Sequence, residues 1–272
     1  MTTPTPVHKW ADLLEASIAE HDVSIVDRVA VFVETLSTQD TARRMAANRP
    51  GLLVVTAHQS EGRGRLSRGW TDHPEHSLAM TLALGARDQT SAFLALATGV
   101  ALADACAGLL PTDTLGLKWP NDLVERTSNR KLAGILVETA GSLALVGIGV
   151  NVSHTRAELD AAGLTTATSL AELGGCVDRI GVAEAVAASL DRFLGRPEAD
   201  LADAWRHRDI LTGTHQAFEH NGRRHEGIVE SIDPTLTLVI RTREGIQRLP
   251  ALSTSVVATE AERARTASEG QA

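Results

Sequence analysis

The sequence predicts an α/β fold followed by a small all-β module, and three observations carry that reading. Over the first 210 residues, stretches with apolar residues at helical spacing alternate with apolar or β-branched runs of strand length. After Ile210 the helical spacing gives way to short β-type runs separated by Asn221-Gly222, Asp233-Pro234 and Glu244-Gly245. The composition, 43% hydrophobic and 22% charged with 3% aromatic residues and no Tyr, suits a buried core and excludes a disordered or collagen-like polymer. A chain of 272 residues allows one large domain, or one domain with a small appendage. The expected division is 1–210 and 211–259, with 260–272 as a polar, small-residue tail that stays disordered.

Taken in order, Leu13, Leu14 and Ile18 predict a short amphipathic helix over 11–20. Residues 23–34 read as a strand. Ser37-Thr38 can cap a helix over 38–48, which Asn48, Pro50 and Gly51 end. Strands are expected at 52–57 and 78–84, on either side of a glycine- and arginine-rich loop. The most apolar run, Ser91 to Leu110, is interrupted by Asp104, and its uncharged part is too short for a bilayer. It is expected as a buried helix. Strands follow at 116–119, 131–140 and 142–151, the last two joined by Gly141-Ser142 in a hairpin-like turn, and then helices at 179–194 and 198–208. The β module has runs at 214–219, 224–232, 236–242 and 247–249.

The formal charge of −8, from 26 basic and 34 acidic residues, argues against broad attraction to nucleic acid or anionic lipid and leaves room for a local anion site. The N-terminus lacks the basic end and apolar run of a secretory signal. Cys106 and Cys176 have neither metal-ligand spacing nor a disulfide framework, which fits a reducing cytoplasm.

Chemistry concentrates in two places. Glu61 to Trp70 contains Gly62, Arg63, Gly64, Arg65, Arg68 and Gly69. Glycines admit close backbone approach, and guanidinium groups bind phosphate or carboxylate through paired hydrogen bonds. A solvated flexible loop is the equal alternative, and the spacing matches no dinucleotide or P-loop motif. The second place is Lys118-Trp119-Pro120-Asn121-Asp122, followed by Lys131-Leu132-Ala133-Gly134. Lys9, Lys118 and Lys131 are the only lysines, so two of them flanking an Asn-Asp pair suggest roles for a compact ammonium donor. Asn121 and Asp122 are hard oxygen ligands of the kind Mg²⁺ takes alongside phosphate oxygens, or else a turn between strands.

Together these segments carry a resemblance. Arg-Gly-Arg within 62–70, Lys-Trp-Pro-Asn-Asp at 118–122, Lys-Leu-Ala-Gly-Ile-Leu-Val-Glu at 131–138 and Gly-Ile-Gly-Val-Asn at 147–151 resemble, in order and spacing, the biotin protein ligases. The resemblance covers roughly 32–258. It implies a mixed, largely antiparallel sheet with flanking helices followed by an SH3-like barrel. It also implies two half-reactions: biotin and MgATP give biotinyl-5'-adenylate and pyrophosphate, then a lysine of a biotin carboxyl carrier domain takes the biotinyl group. The catalytic residues implied are Lys131, Arg63 and Arg65. Biotin would be held by Ser37, Thr38, Gln59, Gly62, Arg63, Arg65, Lys131, Gly134 and Gly147. ATP and the adenylate would be held by Arg63, Arg68, Trp70, Lys118, Asn121 and Asn151, and Mg²⁺ by Asp122 and Asn121.

Physical chemistry supports these assignments. A carboxylate attacking an α-phosphate brings two anions together, which fixed cations and metal must stabilise. The ureido ring offers one carbonyl and two N–H groups, which need neutral partners. Ser37-Thr38 can serve as helix cap and ligand contact at once, Trp70 can stack on a ligand or merely pack, and Gly147 and Gly149 admit close approach or mark a bulge. Gln39 stands where the family often has Asn, a change expected to be tolerated because the residue begins a helix. The residues before 23 are too few for a helix-turn-helix unit, so a monofunctional ligase without DNA binding is expected. The rival readings are a lipoate-type ligase of the same fold and a biotin sensor that only binds.

Overall fold

Seven strands form the first sheet in the computed structural model, which describes residues 4–65, 69–71, 73–86, 90–250 and 253–260. They are β1 (Arg28–Phe32), β2 (Leu52–Thr56), β3 (Ser77–Gly85), β4 (Leu115–Lys118), β5 (Asp122–Glu125), β6 (Lys131–Ala140) and β7 (Leu143–Asn151). Across the sheet they run β1-β2-β3-β7-β6-β5-β4. β1 and β2 pair in parallel, while β2–β3, β3–β7, β6–β7 and β5–β6 pair antiparallel. β3 and β7 lie at the centre of this order and are buried along nearly their whole length, which explains why both read as apolar runs with little alternation.

Among the described residues, six α-helices flank or follow the sheet: α1 (Trp10–Glu20), α2 (Thr38–Ala46), α3 (Ser91–Gly108), α4 (Arg156–Ala161), α5 (Arg179–Leu194) and α6 (Glu198–Arg208). Ala42 and Ala46 of α2 pack with Leu52, Val54, Ala83, Leu143 and Leu145. Small alanines on this helix bring its backbone close to the sheet. Because side chains alternate along a strand, Gly147 and Gly149 share the face of Leu145. Their partners Leu136 and Gly134 share it too. Ile135 points to the opposite face, where its Cδ1 lies near Gly99 of α3. α3 is long and apolar enough to cross a membrane by length and composition, yet most of it is buried. It packs against α5, α6 and β6, as a helix apolar all round does inside a core.

The remaining strands, β8 (His215–His220), β9 (Arg223–Ile232), β10 (Thr237–Thr242), β11 (Gly245–Pro250) and β12 (Thr254–Val257), form an antiparallel sheet in the order β11-β10-β9-β8-β12. It is a small barrel-like module. Asn221 and Gly222 turn between β8 and β9 with φ of 49° and 70°, the left-handed pair a type I′ hairpin requires. By contacts the chain divides into Met1–Leu117 with Asn121–Arg208, and Lys118–Pro120 with Asp209–Ala272. Within the second unit the Trp119 and Phe218 rings stand edge-on, 6.4 Å apart.

The mixed sheet, the flanking helices and the terminal β module are those expected, and several boundaries differ. The strand expected over 23–34 is confined to Arg28–Phe32. Residues 24 and 25 are drawn to α5 instead: Asp191 Oδ1 accepts from Ser24 Oγ at 2.8 Å and from the Ile25 N–H at 3.0 Å. α4 has no counterpart among the expected elements, although its capping box, Thr155 with Glu158, is legible as Thr-x-x-Glu. β5 has no counterpart among the expected strands and begins at Asp122, where a turn between strands is the alternative reading. Beyond it the chain turns around Glu125, whose carboxylate accepts from the N–H groups of Thr127 and Ser128 and from the Ser128 hydroxyl. The expected tail from 261 onward lies outside the described residues.

Candidate functional site

The start of α2 is built unusually. Ser37 occupies the N-cap position with extended backbone, where its hydroxyl would ordinarily accept from the first turn. It makes no such bond, and Ser37 Oγ is buried with no hydrogen-bond partner among the described residues. The capping is done by Gln59, which follows β2: its Oε1 accepts from Thr38 N–H at 2.7 Å and Thr38 Oγ1 at 3.0 Å. Thr81 Oγ1 of β3 donates to Thr38 Oγ1 at 2.9 Å. Ser37 lines a narrow cavity together with Thr38, Gln59, Trp70, Gly134 and Gly147.

Glycines form the cavity floor because side chains lie directly on them. A Cβ on Gly149 would stand 2.5 Å from Trp70 Cε2, and one on Gly147 would stand 3.0 Å from Gln39 Cδ. Gly62 is similarly restricted, since a Cβ there would meet the Trp70 carbonyl oxygen at 2.4 Å. The arginine-bearing loop leaves and returns as a narrow pair. Trp70 N–H donates to Gly62 O at 2.8 Å, and Arg63 bridges Gly69. This pairing sets the Trp70 indole against the floor.

The cations are held by carboxylates. Arg63 Nη2 lies 2.6 Å from Asp40 Oδ1 of α2 and 3.8 Å from Glu138 Oε2 of β6. Lys131 Nζ lies 2.7 Å from Asp122 Oδ1, and 5.6 Å from the Trp70 ring centroid, within cation–π range. Asp122 and Lys131 approach because β5 and β6 pair with Asp122 opposite Gly134. An anion entering beside Lys131 therefore meets an ammonium group already positioned and partly neutralised.

Asn121 lines the cavity and is fixed by two bonds to Ile135: its Nδ2 donates to Ile135 O at 2.8 Å, and its own carbonyl accepts from Ile135 N–H at 3.0 Å. Asn151 is buried, and its Nδ2 donates to Lys131 O at 3.3 Å and Thr168 O at 3.0 Å, so the amide clamps the start of β6. Arg65 is half-buried. Lys118 ends β4. Arg68 lies outside the described residues.

Two features escaped sequence reasoning. Asp40 and Glu138 as partners of the arginine loop come from elements far apart in sequence. Gln39, expected to be tolerant at the start of a helix, is 4% exposed and reaches across β6 and β7. The first turn of α2 lies on the sheet, so its N-terminal side chains point into the cavity.

Residues 31–153 match the biotin/lipoate A/B protein ligase family. A biotin-(acetyl-CoA-carboxylase) ligase of Mycobacterium tuberculosis is 34% identical over 216 residues, covering 75% of this chain and 79% of that protein. The chain belongs to the biotin/lipoate A/B protein ligase family. A ligase of the same description from Paracoccus denitrificans is 32% identical over 239 residues, covering 81% of this chain and 97% of its own length. Among solved structures, a biotin protein ligase from Aquifex aeolicus in complex with biotin and ATP superposes with a TM-score of 0.71 at 23% identity, covering 86% of this chain and 100% of that one. That likeness supports the family fold. The matched segment encloses every residue that lines the cavity.

Proposed function

We propose that this family member is an ATP-dependent biotin protein ligase that forms biotinyl-5'-adenylate and passes the biotinyl group to a lysine of a biotin carboxyl carrier domain. The observation that carries the reading is a hydrogen-bonding cavity lined mostly by uncharged residues, with Arg63 in its wall and a fixed ammonium beside it. Ser37 lines it with a buried Oγ that has no partner among the described residues, and Lys131 leans over Gly134, another of the lining residues. A cyclic urea satisfies the first feature, and a carboxylate meeting an α-phosphate requires the second.

In the first half-reaction a biotin carboxylate oxygen attacks the α-phosphorus of ATP and pyrophosphate leaves. Lys131 stabilises charge where the two anions meet, and Arg63, Arg65 and Arg68 supply further positive charge. In the second, the neutral amine of the carrier lysine attacks the acyl carbon and AMP departs. Ser37, Thr38, Gln59, Gly62, Gly134 and Gly147 shape the biotin pocket. Trp70, Lys118, Asn121 and Asn151 belong to the nucleotide side.

Mg²⁺ prefers one or two protein carboxylates plus substrate phosphates. Asp122 with the amide oxygen of Asn121 offers that donor set, the Asp122 Oδ1 atom being already paired with Lys131 at 2.7 Å. Mg²⁺ would neutralise phosphate charge there. A reducing cytoplasm suits the free thiols Cys106 and Cys176.

A lipoate-type ligase would share the fold and the central lysine, but a linear acyl chain would leave the Ser37 hydroxyl unpaired, at a cost of about 1–3 kcal/mol. The test incubates the protein with ATP, Mg²⁺, an apo carrier domain and either biotin or lipoate, and weighs the carrier by mass spectrometry. Addition of a biotinyl mass is expected. Lipoylation alone, or an unmodified carrier with biotin, would refute the reading.

A further inference from the structure

We infer that Arg156 is a positioning residue for the adenylation step: from α4 it fixes a turn at 164–167, and that turn fixes the main chain that carries Lys131. This rests on the ligase reading above.

The contact with Lys131 is made by backbone. Thr166 O accepts from Lys131 N–H at 2.8 Å, and Lys131 O accepts from Thr168 N–H at 2.9 Å, so Ala167 pairs with Lys131 in a parallel bridge. The Thr166 carbonyl is aimed by a turn in which Ala167 N–H donates to Leu164 O at 2.9 Å. Thr165 and Thr166 are exposed. Burial therefore does not hold the middle of this turn, and hydrogen bonds must.

Arg156 supplies them. Its Nη1 donates to Ala167 O at 2.7 Å and its Nη2 to Leu164 O at 3.2 Å, closing the guanidinium fork on the first and last carbonyls of the turn. Carboxylates orient the fork: Nε donates to Asp160 Oδ1 at 3.0 Å, Nη2 lies 2.8 Å from the same atom, and Nη1 lies 3.6 Å from Glu172 Oε2. Glu172 also accepts from Thr168 Oγ1 at 2.9 Å and pairs with Arg130. One carboxylate thus holds the residue before Lys131 and a residue that bonds to it. With its donors committed to protein oxygens, Arg156 reaches the reaction through the chain rather than by touching a phosphate. Pinning the main chain at Lys131 fixes where the ammonium group stands, and a misplacement of about 1 Å can cost about 100-fold in rate.

The experiment follows pyrophosphate release with biotin and ATP in the parent, Arg156→Met, Lys131→Ala and the double variant. Arg156→Met is expected to lower kcat about 10-fold and leave the KM for biotin within about 2-fold of the parent. Because the effect passes through the Lys131 ammonium, the same substitution made in Lys131→Ala should slow release by less than about 2-fold. Arg156→Lys keeps the charge and loses the fork, so it is expected to behave as Arg156→Met does. A residue that merely stabilises α4 would lower Tm and slow both backgrounds by one common factor, and that result overturns the inference. An unchanged kcat in Arg156→Met, or a parent rate in Arg156→Lys, overturns it as well. If Arg156→Met fails to fold, Arg156→Lys carries the same comparison with the same criteria. A parent protein that makes no adenylate from biotin would instead defeat the functional reading itself.

Discussion

Replacing Lys131 by alanine should separate catalysis from folding, because the environment of Lys131 makes it weak as a structural bond and strong as a fixed charge. Its partner Asp122 is 2.7 Å away, but the two side chains retain 36% and 29% exposure. Water screens such a pair, so its loss should cost about 1 kcal/mol of stability or less. In a chain of this size that is about 2–4 °C in Tm. The chemical step loses a preorganised donor aimed at developing charge, for which about 100- to 1000-fold in rate is typical. Lys131→Ala should therefore melt near the parent and release pyrophosphate about 100-fold more slowly or worse. Preformed biotinyl-adenylate should partly bypass the defect, since the carrier amine does the chemistry of the second step. Lys131→Arg should not restore the parent rate, because a planar fork replaces a compact charge. The paired assays are pyrophosphate release and carrier mass. Adenylate formation by Lys131→Ala at the parent rate, or an obligatory biotinyl-Lys131 adduct, would refute the reasoning.

Gly149→Ala should push the Trp70 indole off the floor, since the new Cβ would stand 2.5 Å from Cε2. We expect a shifted tryptophan emission and weaker adenylate formation, and parent-like spectra and kinetics would count against the packing described. His154 is buried with ring centroids 5.2 Å from His76 and 5.7 Å from His73. Burial, with the charge of those two neighbours, pushes its pKa down to about 4. Unfolded chains take up this proton near pH 6.5, so stability should fall as pH drops from about 6.5 to about 4, by about 3 kcal/mol in total. His154→Phe should flatten that part of a Tm-against-pH curve, and an unchanged slope would contradict it. Burial also raises the Cys106 thiol to about 12, while Cys176 is exposed. Iodoacetamide should alkylate only Cys176 in the native protein and both thiols after unfolding, as peptide mass mapping will show.

Much of the local structure is written in the sequence. The helices at Arg179–Leu194 and Glu198–Arg208 lie where apolar spacing puts them, and Gly141 turns the hairpin with φ of 61°. Spacing of this kind depends on neighbours a few residues apart, which a sequence displays directly. The sequence likewise marks the loop and Lys131 as candidates for anion chemistry, because ligand classes constrain residue types. Tertiary structure alone decided who satisfies whom. Ser37 has the residue type and position of a cap, yet Gln59, 22 residues onward, takes that role and leaves the hydroxyl buried without a partner among the described residues. Gln39 reads as a tolerant helix start, but its amide reaches Leu136 and Leu145, 97 and 106 residues away. Arg63 meets Asp40 and Glu138 only because α2 lies on the face where β6 and β7 carry Glu138 and the glycines. Strand order sets these meetings: β7 inserts between β3 and β6. Hydrogen-bond and charge partners depend on that spatial order, which no local period of the sequence encodes.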